Sequence, residues 1–317
     1  MVIKTKKGKS KTAISQCAPF IVPNKLSKSR RLTKHNINII KSATDETCFS
    51  IESLRKITDK WNESNPAMRI EYTDKTPGRT LWNAIHNAMN AECNNEVCWL
   101  NQPFLKNTPL VKELKTHFKP IMPEKWDVNP REWLNTLNIR DVMVQYEIKH
   151  PDFEFIGPVP IDFDTKLGFG QCVVDELCKI DLNKLLKLGK TKLGIVFNLD
   201  KHTQSGSHWV AMYGQLPTGN EDNKGALYYW DSYGVKPKTE IINLMKKLQK
   251  QASNMNKHLE IHINRIRHQY KNSECGVYCI YFLTSLLEGR TFKDIVTNII
   301  NDDKMNAKRG DFFIRNG

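Results

Sequence analysis

The sequence predicts an α+β protein: a central mixed sheet flanked by helices, preceded by an N-terminal helical arm. Three observations lead there. Between residues 192 and 266 four short runs rich in β-branched and aromatic residues, KLGIVFNLD, HWVAMYG, ALYYWDSYG and HLEIHINRI, are bounded by Gly, Asn, Asp and Ser. Segments with apolar residues three and four apart stand before and between these runs, as helices that cover a sheet should. The most apolar stretch, Cys275 to Leu287, is well short of the ~20 residues a bilayer requires, so a buried core helix and no membrane span is expected.

Taken in order, residues 1–42 mix Lys, Ser, Thr and Asn with little periodicity. They hold eleven Lys and Arg before the first acid, Asp45, out of a net charge of +14, so the remainder is only mildly basic. Such a segment cannot bury enough apolar surface to offset its ordering and reads as a mobile basic tail, either solubilising or an arm for targeting or for non-specific DNA binding. No apolar core follows its first charges, so no export signal is expected, and the chain is placed inside the cell in a reducing compartment. Ile51, Leu54, Ile57 and Trp61 predict a helix behind Thr44 or Asp45 as caps, and Leu81, Ile85 and Met89 predict a second. Together they define a helical arm region, 43–125. The three prolines of KPIMPEKWDVNP mark a boundary, with a new helix starting at Pro130 and a catalytic domain at 126–317. FEFIGPVPIDFD reads as turn-rich, Leu182, Leu185 and Leu186 as a short helix, and TEIINLMKKLQKQA as a helix between the third and fourth strands.

The chemistry concentrates where the polar loop QYKNSE meets the apolar run CGVYCIYF. Cys275 stands at the first position of the expected helix, where free N–H groups and the helix dipole favour an anion, and Gly276 should leave the backbone open to a substrate carbonyl. A thiol of ordinary pKa needs a base. Among nine histidines, His208 lies where the loop QSGS enters a strand, and Asp231 lies at the end of the next strand. If those strands are neighbours, Asp231 can orient His208 toward Cys275. Gln269, six residues before Cys275, is the candidate side-chain donor for an oxyanion, beside the Cys275 backbone N–H. Cys279 reads as a core residue. The eight cysteines form no C-x-x-C and have no histidines at zinc spacing, so neither metal nor cofactor is expected.

His208-Trp209, Asp231-Ser232 and Gln269 followed by NSECGVYC resemble the cysteine proteases that include the ubiquitin-like-protein (SUMO) proteases and the adenovirus protease. REWLNTLNIRDVMVQY is similar to the W-L-N-D helix that opens SUMO-protease domains, with Thr136 in place of the Asp. GIVFNLDKHTQSGSHWVAMY and YYWDSYGVKPKTEI are similar to the polyprotein proteases of large DNA viruses, African swine fever virus among them, which also carry a helical N-terminal arm. The resemblance runs from about Trp133 to Leu287 and implies a papain-related fold and a Cys275-His208-Asp231 triad. It further implies cleavage after Gly-Gly or Ala-Gly in a narrow tunnel walled by Trp209 and Trp133, or else ordinary core packing for both tryptophans. Polyprotein or ubiquitin-like protein substrates follow, with virion maturation as the role and the host cytoplasm and virion as the place. A deSUMOylase or deubiquitinase, an acetyltransferase with the same triad, and a virion structural protein remain alternatives.

Overall fold

The computed structural model describes residues 16–21, 24–25, 46–89, 93, 95–218 and 224–315. Most of the predicted basic tail, residues 1–15 and 26–42, lies outside them. The chain divides into two units, Met1–Lys119 with Phe313–Gly317, and Pro120–Phe312.

In the first unit the two-residue strands β1 (Asn24–Lys25) and β2 (Glu46–Thr47) pair antiparallel. Helices α1 (Ile51–Ser64), α2 (Gly78–Met89), α3 (Glu96–Trp99), α4 (Pro103–Lys106) and α5 (Pro109–Lys115) follow. Leu54, Ile57 and Trp61 of α1 bury against Leu81, Trp82, Ile85 and Met89 of α2, with Phe49 and Trp99 in the same core. The cap of α1 is Ser50, and the expected caps Thr44 and Asp45 lie outside the described residues. Residues 46–47 are committed to β2, and Ser50 Oγ accepts from the Ser53 N–H at 3.0 Å. Within the predicted tail, Cys17 is disulfide-bonded to Cys48 and its neighbour Ala18 donates to His117 O.

The second unit opens with α6 (Lys125–Val128), α7 (Thr136–Lys149), β3 (Phe153–Pro160), α8 (Asp175–Cys178) and α9 (Leu182–Lys187). It continues through β4 (Lys192–Asn198), β5 (Trp209–Gln215), β6 (Lys224–Trp230), α10 (Thr239–Asn254), β7 (His258–Ile263) and α11 (Cys275–Leu287), and ends with α12 (Phe292–Thr297), α13 (Asp302–Ala307) and α14 (Arg309–Phe312). The five strands lie in the order β3-β4-β5-β6-β7, parallel at both outer pairs and antiparallel in the centre, which is the expected mixed sheet with flanking helices. Ile195, Phe197, Val210, Met212, Leu227 and Tyr229 bury with Ile241, Leu244, Met245 and Leu248 of α10. Alternate strand positions serve α11, whose Phe282 stacks on Trp230 at 5.3 Å.

Two expectations change. Residues 153–160 form a strand, not a turn: at a sheet edge Pro158 and Pro160 need no N–H for an outer neighbour, and the register is irregular between Ile156 and Val159. The helix expected from Pro130 starts only at Thr136, because Asn135 caps it in a reciprocal box with Asn138. Residues 131–134 therefore stay non-helical, and their backbone is available to other partners.

Six cysteines are paired, Cys17–Cys48, Cys93–Cys98 and Cys172–Cys178, which leaves Cys275 and Cys279 as free thiols. These pairings join residues that C-x-x-C spacing does not pick out. No helix among the described residues is long and apolar enough to cross a membrane.

Candidate active site

The antiparallel register pairs Ala211 with Trp230, so the beginning of β5 lies beside the end of β6. His208 immediately precedes β5 and Asp231 immediately follows β6. His208 Nε2 stands 2.9 Å from Asp231 Oδ1. Asp231 is 1% exposed, and a carboxylate removed from water needs donors. The same Oδ1 accepts from the Tyr233 N–H at 2.8 Å, while the Asp231 carbonyl accepts from Asn264 Nδ2 at 2.8 Å and from the Gly234 N–H. The turn after Asp231 requires glycine. Gly234 has φ +70°, and a Cβ there would meet Arg265 O and Arg267 N at 3.0 Å.

Cys275 is the first residue of α11 and is buried. Cys275 lies near enough to His208 to act on its charge together with Asp231. With Nε2 engaged by Asp231, Nδ1 is the nitrogen left for the sulfur. Burial works against charge on the imidazole, but the hydrogen bonds and charges of Asp231 and Cys275 outweigh it and push its pKa up to about 9. The site thus holds a protonated imidazole at neutral pH, oriented by a buried carboxylate and placed beside a thiol at a helix N-terminus. Burial pushes the other free thiol, Cys279, well up, with Cys275 and Asp231 adding to it.

Gln269 is fully buried, and its amide is held by the loop around it rather than by Cys275. The carbonyl of Lys271 only accepts, so the side-chain atom 2.8 Å from it is Nε2, and Ser232 Oγ donates to Oε1 at 2.6 Å. The second N–H of that amide makes no hydrogen bond among the described residues. Trp209 is buried, and its indole N–H donates to Leu134 O at 2.9 Å, in the non-helical stretch before α7. Trp133 is 39% exposed.

Gly276 is not open to a substrate, as its place after Cys275 had suggested. It is buried, and a Cβ on it would lie 2.9 Å from Leu134 Cβ and 3.3 Å from Trp209 Cδ1. The glycine is required by close packing at the start of α11.

Three contributors escape a reading of the sequence. Tyr233 stacks on the His208 ring with centroids 4.7 Å apart. Asn264 fixes the Asp231 backbone. Glu274, fully buried, accepts from Ser273 Oγ at 2.9 Å and forms an ion pair with Arg131, which anchors the loop entering α11. Their one local signal is the retention of polar residues beside Asp231 and Cys275, since Arg131 and Asn264 are remote in sequence. Thiol, imidazole and carboxylate in this order can carry out nucleophilic acyl transfer.

The profile of the Ulp1 protease family, C-terminal catalytic domain, matches residues 192–314. The "Putative thiol protease R355" of Acanthamoeba polyphaga mimivirus is 31% identical over 288 residues, 85% of this chain and 89% of that protein. The "SUMO-1 cysteine protease S273R" of African swine fever virus is 25% identical over 235 residues, 70% of this chain and 83% of that one. The crystal structure of the selenomethionine pS273R protease of the same virus aligns with a TM-score of 0.63 at 21% identity, covering 96% of this chain and 97% of that one, a likeness of fold.

Proposed function

The chain belongs to the Ulp1 protease family of cysteine proteases, and from that premise we propose that it is an endopeptidase cutting extended peptides after Gly-Gly or Ala-Gly, which processes structural polyproteins of a large DNA virus during virion maturation. The observation that carries the assignment of roles is the imidazole of His208, 2.9 Å from the buried Asp231 carboxylate and with Cys275 as its other electrostatic partner. Cys275 sulfur attacks the scissile carbonyl carbon, and the proton held on His208 passes to the leaving amine. Water, deprotonated by His208, then attacks the thioester carbonyl and releases the acid and the thiol. Asp231 keeps Nε2 engaged so that Nδ1 faces the sulfur, and supports the imidazolium. The oxyanion takes the Cys275 backbone N–H and the uncommitted N–H of Gln269.

The preference for glycine and the polyprotein role draw on the sequence similarity to proteases of large DNA viruses, with Trp209 and Trp133 as walls of the tunnel. Such a role would place the protein in the host cytoplasm and the virion. The relative named a SUMO-1 cysteine protease favours a second reading, cleavage of a ubiquitin-like protein from its conjugate.

The test is cleavage of Gly-Gly-Xaa and Ala-Gly-Xaa peptides, their Gly-to-Leu counterparts, and SUMO and ubiquitin fusions, by wild type and Cys275→Ser. Peptide cleavage confined to the glycine substrates and lost in Cys275→Ser supports the endopeptidase. Cleavage of the fusions alone transfers the site to the second reading, and activity retained in Cys275→Ser overturns both. A glycine-ended vinyl sulfone should label Cys275 only. Labelling of Cys279, the other free thiol, would refute the nucleophile assignment.

A further inference from the structure

Tyr233 touches both halves of the machinery. Its ring lies 4.7 Å from the His208 ring, with an interplanar angle of 27°. Its backbone N–H shares Asp231 Oδ1 with the imidazole. Its hydroxyl donates to Lys271 O at 3.0 Å, the same carbonyl that accepts Gln269 Nε2 at 2.8 Å. One carbonyl oxygen has two lone pairs, and here each is taken by a group belonging to a different catalytic task. The loop is tied a second time through Ser232, whose carbonyl accepts from the His268 and Gln269 N–H groups and whose hydroxyl donates to Gln269 Oε1. The Arg267 guanidinium stands 5.3 Å from the Tyr233 ring and donates from Nε to Gln269 O at 2.7 Å.

We propose that Tyr233 is a positioning residue that couples the base to the oxyanion donor: its ring holds the His208 imidazole, and its hydroxyl holds the Lys271 carbonyl to which the Gln269 amide is tied. This rests on the roles given above to His208, Gln269 and Cys275. The hydroxyl stays a donor throughout the range in which His208 titrates, because burial, then Cys275, push the phenol up, with Asp231 and Asp302 adding to this and Arg267 opposing it. Losing the hydroxyl leaves Lys271 O held by the Gln269 amide alone and lets the pair shift together, turning that amide away from the developing oxyanion. Substrate binding does not use that interaction, since the oxyanion exists only in the transition state.

Tyr233→Phe keeps the ring and the volume, and removes one hydrogen bond. It should lower kcat about 3- to 10-fold, with KM unchanged and the basic limb of the kcat/KM profile in place. On a Gln269→Ala background the same substitution should cost almost nothing further, because the group through which it acts is gone. Tyr233→Leu removes the stack as well, and should also move the basic limb. Wild-type kcat in Tyr233→Phe, an equal loss with and without Gln269, or a change confined to KM overturns the coupling. Thermal unfolding of each variant shows that the comparison is between folded proteins. Cys275→Ser run alongside separates the levels: if it is inactive while Tyr233→Phe and Gln269→Ala are additive, only the coupling fails. If it cleaves, the underlying assignment fails and the coupling with it.

Discussion

Replacing Asp231 by Asn tests how much of the charge on His208 is held by the carboxylate. The imidazole is pushed from its ordinary 6.5 up to about 9 although burial opposes it. A gap of that size corresponds to about 3 kcal/mol in favour of the imidazolium. Two partners supply it, Asp231 and Cys275, and a hydrogen bond to a charged group contributes about 1.5–3 kcal/mol. The amide of Asp231→Asn can still accept from the Tyr233 N–H, but it brings no charge to Nε2. The basic limb of kcat/KM, which reports loss of the proton needed by the leaving amine, should therefore fall from about 9 by about 1–2 pH units. The assay is the pH profile of cleavage of a glycine-ended peptide from about pH 5 to about pH 10, spanning both limbs, measured for wild type, Asp231→Asn and His208→Ala. At low pH Asp231→Asn should retain more activity than His208→Ala, since the acid–base group itself survives. An unmoved basic limb would refute the account of the raised pKa. So would equal loss in both variants at every pH. Stability follows the same proton. Between about 6.5 and about 9 the folded protein holds a proton that the unfolded chain releases, so this contribution is complete below 6.5 and is lost as pH rises through 9. The Tm of wild type should decline across that window more steeply than that of His208→Ala.

Gly276→Ala should damage catalysis through packing alone. Its Cβ would sit 2.9 Å from Leu134 Cβ, so α11 or the 131–134 stretch must shift, at about 1–3 kcal/mol in unfolding free energy, and displacement of the adjacent Cys275 should lower kcat by up to ~10²-fold; unchanged Tm and kcat would disprove it. The basic tail should bind duplex DNA loosely, and the structure dictates where to cut: removing residues 1–42 would also take away Cys17 and β1, whereas removing 1–15 deletes five lysines and no acid. That shorter deletion should reduce the slope of log K against log salt by about 0.9 for each phosphate no longer neutralised and leave peptide cleavage unchanged. Coincident salt titrations of the two proteins would remove residues 1–15 from DNA binding.

The strands β4 to β7 are legible because each is a short apolar run with sharp polar ends, and α10 because Ile241, Leu244, Met245 and Leu248 repeat on one face. β3 is not. Its prolines are tolerated only at an edge, and edge position is a property of the assembled sheet. Helix starts are obscured for a related reason: Ser50 and Asn135 act as caps through specific side-chain bonds, while Pro130 only carries the right residue type. The disulfides are likewise spatial, and Cys17 and Cys48 are 31 residues apart.

The candidate site divides along the same line. His208, Asp231 and Cys275 each stand where an element begins or ends, and a local change from polar to apolar composition marks such places in the sequence. Element ends are also where backbone groups lack ladder or helix partners, so they can turn toward a substrate or toward each other. The groups that hold these residues in place come from afar. Arg131 reaches Glu274, Asn264 reaches the Asp231 carbonyl, and Tyr233 reaches Lys271. Gly276 belongs with this second group despite its position. Next to a nucleophile it suggests an opening for substrate, but its constraint comes from Leu134 and Trp209. Substitutions at the holding residues should therefore act through geometry, lowering kcat while leaving the identity of the nucleophile and base intact, whereas loss of Cys275 or His208 removes a chemical step altogether.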